Sequence, residues 1–155
     1  MKVMKHHIIE LKAQTYQGFK TEVDVDHIKQ TDFEALWNKI DRDTFNAIKK
    51  EEDYFIGYED YTTMSDNHRK FTYYALAPSA YFDEDAEEKV NIEAGHYILF
   101  DSLFKTHGPE TFAKVYHYID NHNISVDRRF DLELIPVCLD CSKDDAVIYI
   151  ALKLK

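Results

Sequence analysis

Glu133 stands in the segment Phe130-Asp-Leu-Glu-Leu-Ile135, and tyrosines occupy matching places in two other apolar segments, Tyr73 in residues 71–76 and Tyr149 in residues 147–152. Successive residues of a strand point to opposite faces. The all-apolar set Phe130, Leu132 and Leu134 is therefore expected to meet the helices, leaving Asp131, Glu133 and Ile135 on the other face. By the same phase Ile148, Ile150 and Leu152 turn to the helices, while Val147, Tyr149 and Ala151 join Glu133 on the far face. Tyr73 follows as the repeat equivalent of Tyr149. A carboxylate among aromatic rings suits a flat, lipophilic cation, because the rings attract it by cation–π contact and the carboxylate neutralises it. With its pKa raised by desolvation, the same Glu133 could instead act as general base on water, Tyr149 or Tyr73 donating to a leaving group. The plainer reading is a solvated carboxylate on an exposed sheet face.

The elements that must position these residues come from an internal repeat. Phe33-Glu-Ala-Leu-Trp-Asn-Lys-Ile-Asp41 recurs as Phe112-Ala-Lys-Val-Tyr-His-Tyr-Ile-Asp120. Each copy carries its apolar residues at i, i+3, i+4 and i+7 (Phe33, Leu36, Trp37, Ile40; Phe112, Val115, Tyr116, Ile119), the stripe of an amphipathic helix. On such a stripe Trp37 and Tyr116 read first as core residues and second as pocket walls. Thr31 or Asp32 can cap the first helix, and Gly108-Pro109-Glu110 opens the second. The pattern predicts helices near 31–42 and 109–122, and strands near 6–20, 53–61, 68–77, 92–104, 129–138 and 145–154. That is β-α-β-β written twice, with repeats at about residues 1–80 and 88–155 joined by the acidic run Asp83-Glu-Asp-Ala-Glu-Glu88, a solvated linker. The expected class is α+β, two helices on an antiparallel sheet, in a single domain.

Composition narrows the function. At 155 residues, 45% of them apolar, the chain can bury a core without disulfides or a metal. A net charge of -10 repels nucleic-acid phosphates and anionic membranes, so direct DNA binding is not expected. No apolar run reaches membrane-spanning length and no signal peptide precedes residue 13, which points to the cytoplasm. The first predicted strand begins near His6, leaving no room for a helix-turn-helix. Eight histidines lack any helical ligand spacing, and Cys138-x-x-Cys141 falls in a turn, so neither a metal nor a cofactor is expected. Tyrosine, with 11 copies, is over-represented, which suits either packing or a site that grips flat ligands.

Ile92-Glu-Ala-Gly95-His-Tyr97, followed by His107-Gly108-Pro109 and the second helix, resembles the "I-P-A-G-x-Y... G-P" segment of the GyrI-like small-molecule-binding proteins, which share their fold with effector-binding domains of AraC-type and MerR-type multidrug regulators. Val147-Ile-Tyr-Ile-Ala-Leu-Lys153 is similar to that family's closing "I-Y-I-P-I-K". The resemblance spans nearly the whole chain and implies two β-α-β-β modules related by a pseudo-twofold axis, with a groove for cationic aromatic or amphipathic compounds between them. It places Glu133 at the family's pocket glutamate and Tyr149 at its pocket tyrosine. Trp37, Tyr73, Tyr116 and Ile135 are further ligand-binding candidates. Leu132 and Ile135 replace the family's common Phe and Tyr around the glutamate, and Ala151 replaces its last-strand Pro. Binding and sequestration or sensing of such cations is the leading expectation. Hydrolysis of electrophilic small molecules by Glu133 and a tyrosine comes second, and modulation of a protein such as DNA gyrase third.

Overall fold

The computed structural model describes residues 4–155; residues 1–3, the start of the first repeat, lie outside the described residues. Its elements run β1 His6–Leu11, β2 Gln14–Asp24, α1 Phe33–Asp43, β3 Tyr54–Asp60, β4 Lys70–Pro78, β5 Glu88–Ile92, β6 Gly95–Leu103, α2 Pro109–Asn121, β7 Phe130–Pro136 and β8 Val147–Lys153. The strands form one antiparallel eight-stranded sheet in the order β1-β6-β8-β7-β3-β4-β2-β5. From either edge inwards the elements correspond: β1 with β5, β6 with β2, β8 with β4, and β7 with β3 at the centre. This is the α+β, pseudo-twofold arrangement of two β-α-β-β modules.

Six strands were expected and eight are found, because the segments predicted at 6–20 and 92–104 are each part of a longer extended stretch broken in two. Leu11 pairs with Gly95 and Gln14 with Ile92, so the two breaks face one another. Gly95 has φ +151°, a conformation that a residue with a Cβ rarely adopts. Each module thereby lends its first short strand to the edge of the other. The sheet curls as a result.

Both helices begin where the sequence signals placed them. Asp32 accepts a hydrogen bond from the Ala35 amide at 3.0 Å, and Pro109 occupies the first turn of α2, where a missing N–H costs nothing. Leu36 and Ile40 of α1 pack on Phe19, Val23, Phe71 and Ala75 of β2 and β4. Val115 and Ile119 of α2 pack on Ile98, Phe100, Ile150 and Leu152 of β6 and β8. Each helix covers the outer strands of its own module. The central pair β3 and β7 lies between the two helices.

A separate apolar core fills the helix-free face inside the curl. It holds Ile56, Leu76, Tyr97, Leu99, Phe130, Leu132, Leu134 and Ala151, drawn from strands alone. This corrects the expected phase of β7: Phe130, Leu132 and Leu134 face away from the helices, and Asp131, Glu133 and Ile135 face towards them. The periodicity separated the two sets, but both are buried, so apolar content could not say which set meets the helices. Among the described residues no helix is long and apolar enough to cross a membrane.

Truncating Leu132 to Ala, fully buried in the strand-only core, is expected to cost about 2–5 kcal/mol in urea unfolding, the range for a buried leucine deletion. A cost below about 1 kcal/mol would contradict that packing.

Candidate functional site

Between α1, α2 and the central strands lies a cavity of about 810 Å³, in the size range of small-molecule sites. Its walls are built twice from one pattern. Leu36 and Ile40 turn to the core of α1, while Phe33 and Trp37, on the neighbouring row of the same stripe, turn to the cavity. In α2 the corresponding division puts Val115 and Ile119 in the core and Phe112 and Tyr116 on the cavity wall. Val25, Ile28, Met64, Phe71 and Tyr61 extend the apolar lining on one side, and Phe104 and Ile148 on the other.

The floor is polar. Glu59, Glu133 and His107 reach the cavity, with Ile135 beside them. Glu133 sits where β3 and β7 pair, directly opposite Gly57. A Cβ at residue 57 would lie 2.2 Å from Glu133 Oε1 and 2.6 Å from the Tyr73 hydroxyl. Glycine at one position of the central pair is what makes room for the carboxylate at the other.

A chain of donors holds that carboxylate. Trp37 Nε1 donates to the Tyr73 hydroxyl at 3.2 Å, and Tyr73 donates to Glu133 Oε1 at 2.6 Å. His107 Nε2 bonds Glu133 Oε2, and its Nδ1 lies 2.7 Å from Ser102 Oγ. Burial pushes the Glu133 pKa up, but the hydrogen bond and charge of His107 and the Tyr73 hydroxyl outweigh it, leaving the group below the ordinary glutamate value. Ser102, His107 and Glu133 have the residue types of a hydrolytic triad. Yet Ser102 is buried and does not line the cavity, so its hydroxyl orients the imidazole and is not placed to attack a ligand.

Two more carboxylates share the floor. Asp131 Oδ2 accepts from the hydroxyls of Tyr61 at 2.8 Å and Tyr116 at 2.7 Å. Glu59 pairs across the strands with Asp131 and is 4% exposed. Burial first, then the charges of Asp131 and Glu133, raise Glu59 well above the ordinary range. Burial and the Glu133 charge also raise Asp131, against the pull of its donors. Burial and Glu133 likewise raise Tyr73, which keeps it a proton donor.

Of the six residues that sequence reasoning put at the site, Glu133, Trp37, Tyr73, Tyr116 and Ile135 line the one cavity. Tyr149 does not. It pairs with Leu134, whose side chain faces away from the helices, and packs against the strand-only core. The alignment of Tyr73 with Tyr149 is out by one residue: Ile148 takes the helix-side place in β8, and a one-residue shift exchanges the faces. Tyr73, not Tyr149, is the tyrosine that meets Glu133. Sequence reasoning missed Glu59, Tyr61, Gly57 and the role of His107. The alternation Phe55, Gly57, Glu59, Tyr61 would have flagged Glu59 once the helix-side phase of β3 was known. His107 came into view only as part of the motif that opens α2.

No family model matches the sequence, and no curated protein matches it. Solved structures do. A protein described as a candidate bacterial transcription regulator, from Staphylococcus aureus, is 17% identical, with 99% of each chain covered and a TM-score of 0.69. SAV2435, solved bound to tetraphenylphosphonium, is 16% identical, with 98% of this chain and 94% of that one covered and a TM-score of 0.69. A hydrolase from Listeria innocua is 10% identical, with 98% and 92% covered and a TM-score of 0.51. At such identities the likeness establishes the fold, which is the GyrI-like fold that the sequence resemblance implied.

Two outcomes test this geometry. Gly57→Ala is expected to destabilise by about 1–3 kcal/mol, through overpacking and loss of the Tyr73–Glu133 bond, and to cost much less when Glu133 is already Ala. Equal costs in both backgrounds, measured by urea unfolding, would break the proposed coupling. Because Glu59 is raised in the folded state, ionisation of the unfolded chain above 4.5 draws stability away as pH rises towards the folded value. Glu59→Gln should therefore gain on the parent by up to about 1.4 kcal/mol per pH unit above that point, with no gain below it. A difference that does not change with pH would refute the assignment.

Proposed function

We propose that the protein binds lipophilic aromatic cations in the cavity between its repeats, with Glu133 as charge partner and Trp37, Tyr73, Tyr116 and Ile135 among the walls, and that it thereby sequesters or senses them. In this reading residues 1–155 act as one small-molecule-binding domain. The observation that carries it is a buried carboxylate, held by Tyr73 and His107 and lowered in pKa, on the floor of an aromatic-walled cavity of about 810 Å³. Rings from both helices line the cavity, where a flat ligand could stack on them, and Glu133 offers the counter-charge in a site where water screens it little. The protein's net charge of -10 favours the approach of cations. A neighbour of the same fold bound to tetraphenylphosphonium supports the ligand class.

Hydrolysis with Glu133 as general base is the weaker reading. A base works best with a pKa near the working pH, whereas Glu133 is held below the ordinary value and both its oxygens are already engaged.

Trp37 is the single tryptophan and lines the cavity, so its emission reports directly on ligand entry. Titration with tetraphenylphosphonium is expected to change Trp37 fluorescence saturably at micromolar concentration. Glu133→Gln should weaken binding by about 1.5–3 kcal/mol, the range for a bond involving charge, while Tyr149→Phe, on the opposite face, leaves it unchanged. The absence of a saturable change in the parent, or equal affinity in Glu133→Gln, would overturn the reading.

A further inference from the structure

We propose that Glu59 is a second recognition group of the cavity, and that it makes the protein select cations bearing N–H donors over quaternary ammonium or phosphonium cations of the same shape. The inference rests on the cation-binding reading above and deepens it.

Glu133 supplies charge, and each of its oxygens already has a partner, Tyr73 donating to one and His107 engaging the other. Glu59 is the reverse case. It lines the cavity, is 4% exposed, and its Oε2 has no hydrogen-bond partner. The other buried side-chain oxygen without a partner among the described residues is Asp131 Oδ1, on the residue that pairs with Glu59 across β3 and β7. An unpartnered buried polar atom is expensive, and both of these are acceptors when ionised. A proton held between the two carboxyls satisfies both at rest.

The groups around Glu59 make that proton displaceable by a cation and by little else. Asp131 and Glu133 face it from β7, Tyr73 from β4, Tyr116 from α2, and Tyr61 from the end of its own strand. None of these brings a positive charge, and His107, which shares the floor, is engaged with Glu133 Oε2. Burial first, then the two carboxylates, raise Glu59 well above the ordinary carboxylate range, which favours its protonated form in the empty cavity. A primary ammonium, amidinium or guanidinium head lying against Glu133 can donate an N–H to Glu59 and add positive charge, which lowers the cost of ionising it. The proton then leaves to solvent as the N–H takes its place. A quaternary or phosphonium head has no N–H to offer and leaves the proton where it is.

A matched pair of probes tests this: 1-naphthylmethylammonium and its N-trimethyl analogue, titrated calorimetrically into the full chain at pH 7 in two buffers of different ionisation enthalpy. The primary amine is expected to bind about tenfold more tightly, the scale of one charge-assisted hydrogen bond, and to release a proton on binding. The trimethyl probe releases none. In Glu59→Gln the proton release disappears and the amine falls to the affinity of the trimethyl probe. Glutamine matches the shape and neutrality of the protonated acid, and a cooperative urea transition confirms that the variant is folded. Equal affinities of the two probes for the parent, or a preference and proton release that persist in Glu59→Gln, overturn the role of Glu59 while leaving cation binding standing. Failure of both probes to bind the parent overturns cation binding and this proposal with it.

Discussion

The structure turns on the burial of one carboxylate, Glu133, at the join of two repeats. Taking Glu133 out of water is costly unless its charge is matched and its oxygens receive hydrogen bonds. The surroundings supply those hydrogen bonds. Tyr73 from the first module and His107 from the second each engage one oxygen, Trp37 and Ser102 hold those two partners in turn, and Gly57 vacates the volume that the side chain needs. The arrangement depends on the assembled pair of modules, since neither module alone supplies both partners.

Pseudo-symmetry explains how the cavity arises. Each helix is packed over the outer strands of its own module, so the two central strands are flanked by helices without being covered by them. The uncovered strip becomes the floor, and the second row of each apolar stripe becomes a wall. Symmetry is broken at the point of chemistry. At the central pair one module contributes a carboxylate and the other a glycine, and at corresponding wall positions one contributes an indole and the other a phenol.

The remaining acids show why residue type alone does not set charge. Glu59 and Glu133 are diagonal neighbours on adjacent strands, yet their pKa values move in opposite directions. Glu133 has a histidine and a hydroxyl aimed at it, whereas Glu59 has two carboxylates and no partner for one oxygen. Adjacent acids on one floor are in this way given different proton affinities.

Much of this was legible in the sequence. The period of residues 33–40 and 112–119 determined both helices, the repeat determined two β-α-β-β modules, and the short motifs around Gly95, Pro109 and Tyr149 carried the likeness to the GyrI-like fold. Glu133 could be singled out from strand alternation and the family likeness, Trp37, Tyr73 and Tyr116 from the symmetry of the repeat, and Ile135 as a neighbour of Glu133 on the same face. Tertiary structure alone decided which face of the sheet the helices cover, and hence that Asp131, Glu133 and Ile135 meet them while Leu132 and Tyr149 do not. Alternation yields two sets of side chains, but in a curled sheet both sets are buried, so composition cannot orient them, and a one-residue slip in aligning the repeats exchanges them. The partners of Glu133 were equally out of reach. Tyr73 lies 60 positions away and His107 lies 26, distances at which hydrogen bonds are set by packing and leave no local pattern in the chain.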